Sequence, residues 1–340
     1  MECIHCNQSD QVRNKGSRTL KSGDVTIMYI CKRCHKTFCD RTGTALYHCQ
    51  LSKRDAASIL SLRSEGIGVR ASGRLTGHSH STVIDLERRL AKSTRKLDKP
   101  PPSAFSDTAS TSIVEFDEVY TRVHHNCPVE ECVGWTSHGI DRETRWQLPS
   151  VSGQRNNELF DRLGDDVLPI VLDIPKLTIV SDGERRYAEA VRRDYEARKF
   201  LSPPSGHHGK GRIPGTKLVW RIGLQVARKV KGSQYRNNRG RIERPGYLHP
   251  DTVPIPNAAI HANHCEAFNA AQRRRCSPMR RRTNMYAKTV EALDRALTVL
   301  RQVYNWCRGH FAFKGKETPA MRLGLTDHPW TFTELLLQRA

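Results

Sequence analysis

The chain has 340 residues, with 56 Lys and Arg against 35 Asp and Glu, a formal net charge of +21 and an isoelectric point near 9.8. That balance points to a polyanion as partner and to nucleic acid before membrane, since no window of about 18 uninterrupted apolar residues occurs and no apolar signal core follows Met1. Eleven cysteines in a chain long enough for two or three domains read as metal ligands in a reducing compartment, so a soluble, intracellular protein is expected and a secreted or membrane-spanning one is not.

The first elements lie in residues 1–50. Cys3-Ile-His-Cys6 and Cys31-Lys-Arg-Cys34 form two Cys-x-x-Cys knuckles, the arrangement that tetrahedral structural zinc requires. The stretch between them carries a strand-like VTIMYI and suffices for an antiparallel excursion that brings the pairs together. A module this small lacks a core of its own, so the metal would organise it. Cys39 and Cys49 lie nearby and read as small buried thiols.

Residues 51–96 read as a helix-turn-helix. LSKRDAASILSLRSEG has Ser52 as N-cap and Gly66 as stop, IGVRASGRL is a short second helix, and Ser79 or Ser81 caps a third, STVIDLERRLAKSTRK. The third helix would enter the major groove, with Arg70, Arg74, Arg88 and Arg89 as candidate DNA contacts. A plain three-helix packing module with a solvated basic face is the alternative. Residues 97–112 are rich in Pro, Ser and Thr and read as an extended, mobile linker.

Beyond that linker the pattern alternates. SIVEFDEVYTRVH, CVGWTSHGIDRET and TRWQLPSVSGQ predict three successive strands, RNNELFDRLGDDVLPIV a helix, KLTIVSDG a buried strand and ERRYAEAVRRDYEARKF a further helix. This is the order of a ribonuclease-H-like α/β core, a mixed sheet with flanking helices, expected over 113–310, with a basic insertion at about 202–256 and a tail at 311–340. In it Asp117 falls on the first, central strand and Asp182 at the end of the fourth, while Glu266 arrives on a later helix. Three such carboxylates suit two divalent cations, magnesium or manganese by their hard oxygen ligands, in phosphoryl transfer on nucleic acid. Glu243 and Asp251 are rivals to Glu266, but neither has a helical pattern around it.

Two basic clusters surround these acids. The insertion carries Lys229, Arg236 and Arg239 among many cations, with Trp220 and Tyr235 interleaved, and the second cluster includes Arg273 and Arg281. Both would neutralise phosphates. His261, His264 and Cys265 have ligand-like spacing, but packing or DNA contact is the ordinary reading and no metal is assigned to them. Cys127 and Cys132 read as buried thiols, and TNMYAKTVEALDRALTVLRQVYNWCRGHF as a helix with an apolar stripe that closes the core.

CIHC…CKRCHKTF, GVRASGRL…STV, EFDEVY, the strand containing DRETR, TIVSDGERRY, HCEAFNAAQRRR and the tail TPAMRLGLTDHPWTFTELL together resemble a bacterial insertion-sequence transposase of the DDE type, in particular the insertion-sequence-one family. The resemblance covers nearly the whole chain. It implies metal-binding roles for Asp117, Asp182 and Glu266, and phosphate contacts for Asn269 and Arg273. It further implies nicking at the element's ends, attack of the freed 3′-hydroxyl on target DNA, at least a dimer to hold two ends, and a cytoplasmic, nucleoid-associated location. The spacing from Asp182 to Glu266 is longer than is usual in DDE enzymes, and the basic insertion accounts for the excess. A non-catalytic DNA-binding regulator, or a nuclease that cuts without joining, would carry much the same sequence features.

Overall fold

The computed structural model describes residues 2–101, 103–106, 113–171, 178–181, 184, 186–187, 190, 225–231, 235–236, 242–243, 246–248, 261–281 and 284–339. Strands β1 (Val12–Thr19), β2 (Val25–Cys31) and β3 (Thr37–Cys39) form an antiparallel sheet in the order β1-β2-β3. Its buried apolar set is only Cys3, Cys31 and Phe38.

Three helices follow. α1 (Lys53–Ser64) starts where Ser52 Oγ accepts the Asp55 N–H at 2.9 Å. α2 (Val69–Thr76) stops at Gly77, whose φ of +72° is left-handed and cheap only for glycine. α3 (His80–Ser93) starts where Ser79 Oγ accepts the Thr82 N–H at 3.1 Å. Such caps each contribute about 1 kcal/mol. Ala56, Ile59, Leu60, Val83, Leu86 and Leu90 form the inner face of the trio.

The stretch expected as a mobile linker is anchored where it is described. Arg95–Asp98 is a 3-10 turn, and Asp98 is buried against Arg301 in a bidentate pair at 2.8 and 3.0 Å. In the four-residue helix α4 (Ser103–Ser106), Phe105 sinks into the main core. Long-range pairing and burial override the Pro-rich composition there, which speaks only to local preference.

The main sheet contains β4 (Ile113–Tyr120), β5 (Trp135–Asp141), β6 (Val151–Gly153), β7 (Thr178–Ser181), β8 (Gln225–Lys231) and β11 (Gly246–Leu248), in the order β11-β8-β7-β4-β5-β6. β4 pairs antiparallel with β5 and β5 with β6, whereas β7 and β8 run parallel to β4. A separate hairpin joins β9 (Tyr235–Arg236) and β10 (Ile242–Glu243). The third predicted strand is therefore short. Before Val151 only an isolated Ile140–Gln147 bridge forms, and Pro149 has no N–H for a ladder. The stretch expected as a basic insertion also differs, because β8 and β11 extend the sheet itself.

Helix α5 (Asn157–Val171) covers one face of the sheet, its Leu159, Phe160, Leu163 and Val167 packing with Val114 and Phe116. Strand alternation turns Glu115, Asp117 and Val119 to the other face, where α6 (Asn263–Arg275) lies. Phe268 and Ala271 of α6 pack on Val119 and on the apolar stripe of α7 (Val290–Gln302), which continues as one π-helical turn, Val303–Cys307. The C-terminal residues form α8 (Pro319–Arg322) and α9 (Phe332–Leu336), and Leu335 and Leu336 of α9 are buried in the α1–α3 core.

Candidate metal centres and acidic site

At the N-terminal sheet the two cysteine knuckles converge. Cys3 Sγ lies 3.7 Å from Cys34 Sγ, and Cys6 Sγ lies 3.6 Å from Cys31 Sγ. Those separations are far too long for a disulfide, but four sulfurs about 2.3 Å from one centre sit roughly 3.8 Å apart. All four ligand atoms lie within 4.8 Å of one another, so Cys3, Cys6, Cys31 and Cys34 could hold a zinc ion. Burial pushes the Cys6 thiol up to about 12, while the N–H of Cys34 draws Cys31 down to about 7. Four sulfurs this close ionise together only around a cation. Cys39 and Cys49 are half-buried rather than buried, and neither joins the cluster.

The acidic site forms where α6 crosses β4. Asp117, half-buried at the centre of the sheet, accepts the Glu118 N–H on Oδ1 at 2.9 Å and the Asn269 side-chain amide on Oδ2 at 2.7 Å. Asn269 Oδ1 in turn meets His138 Nε2 at 2.8 Å. His138 is fully buried directly opposite Asp117 on β5, and burial draws its pKa down to about 4, leaving the imidazole neutral. Asn269, expected as a phosphate contact, is 5% exposed, and both ends of its amide are engaged within the protein. A helix starting near Asn263 turns Cys265, Phe268, Asn269 and Gln272 inward, and that phase sends Asn269 to the sheet.

Asp182 lies outside the described residues. The parallel β4–β7 register ends on Phe116 opposite Ser181, one residue short of each aspartate along the chain. Glu266 is exposed on the first turn of α6, one turn before Asn269. Arg273 is close enough to Asp117 and Arg281 to feel both; burial and Arg281 lower its pKa and Asp117 opposes them. On the opposite face Glu118 is held by Arg155 and by the Tyr187 hydroxyl at 2.9 Å.

His261 and His264, to which their spacing alone assigned no metal, gain an acidic partner that the sequence did not single out. Glu115, buried on β4, lies with His261 and His264, their ligand atoms within 4.8 Å of one another, and the three could hold a metal ion. Glu115 Oε1 meets His264 Nδ1 and the Arg142 guanidinium, each at 2.7 Å, while Oε2 accepts the N–H groups of His264 and Cys265. A cation there would compete with Arg142. Burial alone would raise the Glu115 pKa, but His264 and Arg142 outweigh it and hold the carboxyl below its usual range. An acid at an inward position of an apolar strand was the available signal; its proximity to Asp117 concealed it.

Of the DNA candidates, Arg70, Arg74 and Arg88 are exposed and line one groove with Lys288 and Arg295, between α2, α3 and the start of α7. Arg89 is tied instead to Asp85 at 2.6 Å and to the Tyr47 carbonyl at 2.5 Å. Lys229 and Arg236 fall on β8 and β9, whose side chains are outside the description, and Arg239, Trp220, Asp251 and most of the basic run lie outside the described residues. Among the described residues no helix is long and apolar enough to cross a membrane. Comparison with protein-family models and with curated proteins returns no match for this chain.

Proposed function

We propose that this chain is a DDE-type DNA transposase that binds element ends, nicks them and joins the freed 3′-hydroxyl strand to target DNA. The observation that carries the reading is the β4–β7 register: two parallel, adjacent strands are paired up to the residue before Asp117 and the residue before Asp182. Carboxylates that follow such a pair can share one cation site, whereas sequence separation alone gives no reason for them to meet. The strand order β8-β7-β4-β5-β6, three antiparallel strands and two parallel to the first, supports a ribonuclease-H-like core.

In this reading Asp117, Asp182 and Glu266 would hold magnesium or manganese. When bound, such ions supply activation of the attacking oxygen and stabilisation of the leaving one. The chain's own part is to fix the Asp117 carboxylate through Asn269 and to hold DNA phosphate near it through Arg273 and Arg281. The α1–α3 module with its basic groove would grip the element end, and the zinc-binding sheet would extend that grip. Acting on two ends requires at least two copies.

The test is incubation of the full-length protein with manganese and a duplex bearing the inverted repeats that flank its gene. Nicked plus joined products support the proposal. Nicks alone point to a nuclease, and binding without cleavage to a DNA-binding regulator. Asp117→Asn, Asp182→Asn and Glu266→Gln should each abolish nicking while leaving DNA binding intact; activity in Glu266→Gln would remove the third ligand.

A further inference from the structure

We propose that His138 is a positioning residue which, through Asn269, sets the Asp117 carboxylate in the orientation that receives a divalent cation. The inference rests on the reading of Asp117 as a metal ligand.

The direction of the chain of hydrogen bonds is forced. A carboxylate only accepts, so the group of Asn269 that lies 2.7 Å from Asp117 Oδ2 is its NH2. The amide oxygen therefore faces His138 Nε2 at 2.8 Å, and that nitrogen must carry the proton. Only the neutral Nε2–H tautomer fits, which leaves Nδ1 as a bare acceptor. Nδ1 is buried and has no partner among the described residues.

That orphan separates function from filler. Phe268 packs edge-on against the imidazole with ring centroids 5.5 Å apart, so an apolar ring would suit that side of the site and would bring no orphaned ring nitrogen, but it would leave the buried Asn269 Oδ1 without its donor. What the histidine contributes beyond shape is one donor, aimed at Asn269. With the Glu118 N–H on Oδ1 and Asn269 on Oδ2, the plane of the Asp117 carboxylate is set before any cation arrives. The relay also spans three elements, since β5 supplies His138, β4 supplies Asp117 and α6, which carries Glu266, supplies Asn269. Outer groups of this kind orient metal ligands, and their loss costs about 10–100-fold in metal affinity or activity.

The experiment titrates manganese into the full-length zinc-loaded protein, read by the paramagnetic resonance of free manganese, beside the manganese dependence of nicking. His138→Phe and Asn269→Leu should each weaken manganese binding about 10–100-fold and shift the metal dependence of nicking by the same factor, with DNA affinity and circular dichroism retained. His138→Gln, whose amide can still donate, should recover most of the loss and keeps the test open if the phenylalanine variant does not fold. Wild-type manganese affinity in His138→Phe or in Asn269→Leu, when Asp117→Asn has lost it, overturns the inference and leaves the function standing; a loss of thermal stability with affinity unchanged also overturns it. Wild-type manganese binding and nicking in Asp117→Asn would instead overturn the function proposed above.

Discussion

Glu115 on the central strand caps the helix that carries Glu266 and Asn269: its Oε2 accepts the backbone N–H of His264 at 2.9 Å and that of Cys265 at 3.3 Å. Ala262, at the start of that helix, offers no side-chain cap. A strand carboxylate therefore supplies what the helix N-terminus lacks, and it does so with a full negative charge, the sign favoured there.

Replacing Glu115 by Gln should destabilise the protein by about 3 kcal/mol, since a buried pair is broken with Arg142 left behind. Urea unfolding at neutral pH measures it. The sign with pH follows from the lowered carboxyl pKa. Glu115 stabilises fully above its unfolded value of about 4.3, and that contribution is lost as pH falls through the still lower folded value. Wild type should lose stability more steeply than Glu115→Gln below about pH 4.3.

Zinc removal should unfold the N-terminal sheet and spare the rest. Its buried apolar residues are Cys3, Cys31 and Phe38, two of them in the set that could hold zinc. A strong chelator should release one zinc per chain and expose four thiols to a thiol reagent, while the heat-induced transition of the main core persists. Cys31→Ser should reproduce the chelated state without chelator.

The Asp98–Arg301 pair ties the end of the α1–α3 module to α7, and Gln302 Nε2 adds a third bond to Asp98 at 2.6 Å. Asp98→Ala should cost roughly 3–5 kcal/mol in urea unfolding because it strands a buried guanidinium. The double change Asp98→Leu with Arg301→Met should cost less than Asp98→Ala alone, since it leaves no unpaired charge.

Arg70, Arg74, Arg88 and Lys288 should act as phosphate contacts in one groove. Each substitution by Ala should lower duplex affinity and reduce the slope of log K against log salt by about 0.9. An unchanged slope for Lys288→Ala would confine the interface to α2 and α3.

Much of the local architecture was legible without coordinates. Two Cys-x-x-Cys pairs have few physical uses besides tetrahedral metal, and Ser52, Gly66, Gly77 and Ser79 punctuate three helices through capping and positive φ, which depend on a few neighbouring residues. Val114 and Phe116 alternating with Glu115, Asp117 and Val119 likewise announce a strand whose two faces do different work. Composition misled where distant partners decide. The Pro-rich stretch holds a buried aspartate because Arg301 waits for it, and a basic segment joins the sheet because β7 offers it an edge.

The sequence by itself determined the ligand-capable cysteines, the N-caps of α1 and α3 and the acids inside apolar strands, because those depend on chemistry within a few residues. Only the tertiary structure decided that Asn269 bonds Asp117, that His138 stands behind it, and that Glu115 caps α6. The reason is physical: a hydrogen bond between residues 152 apart depends on helix phase and strand register together. Neither leaves a signature in the neighbours of either residue.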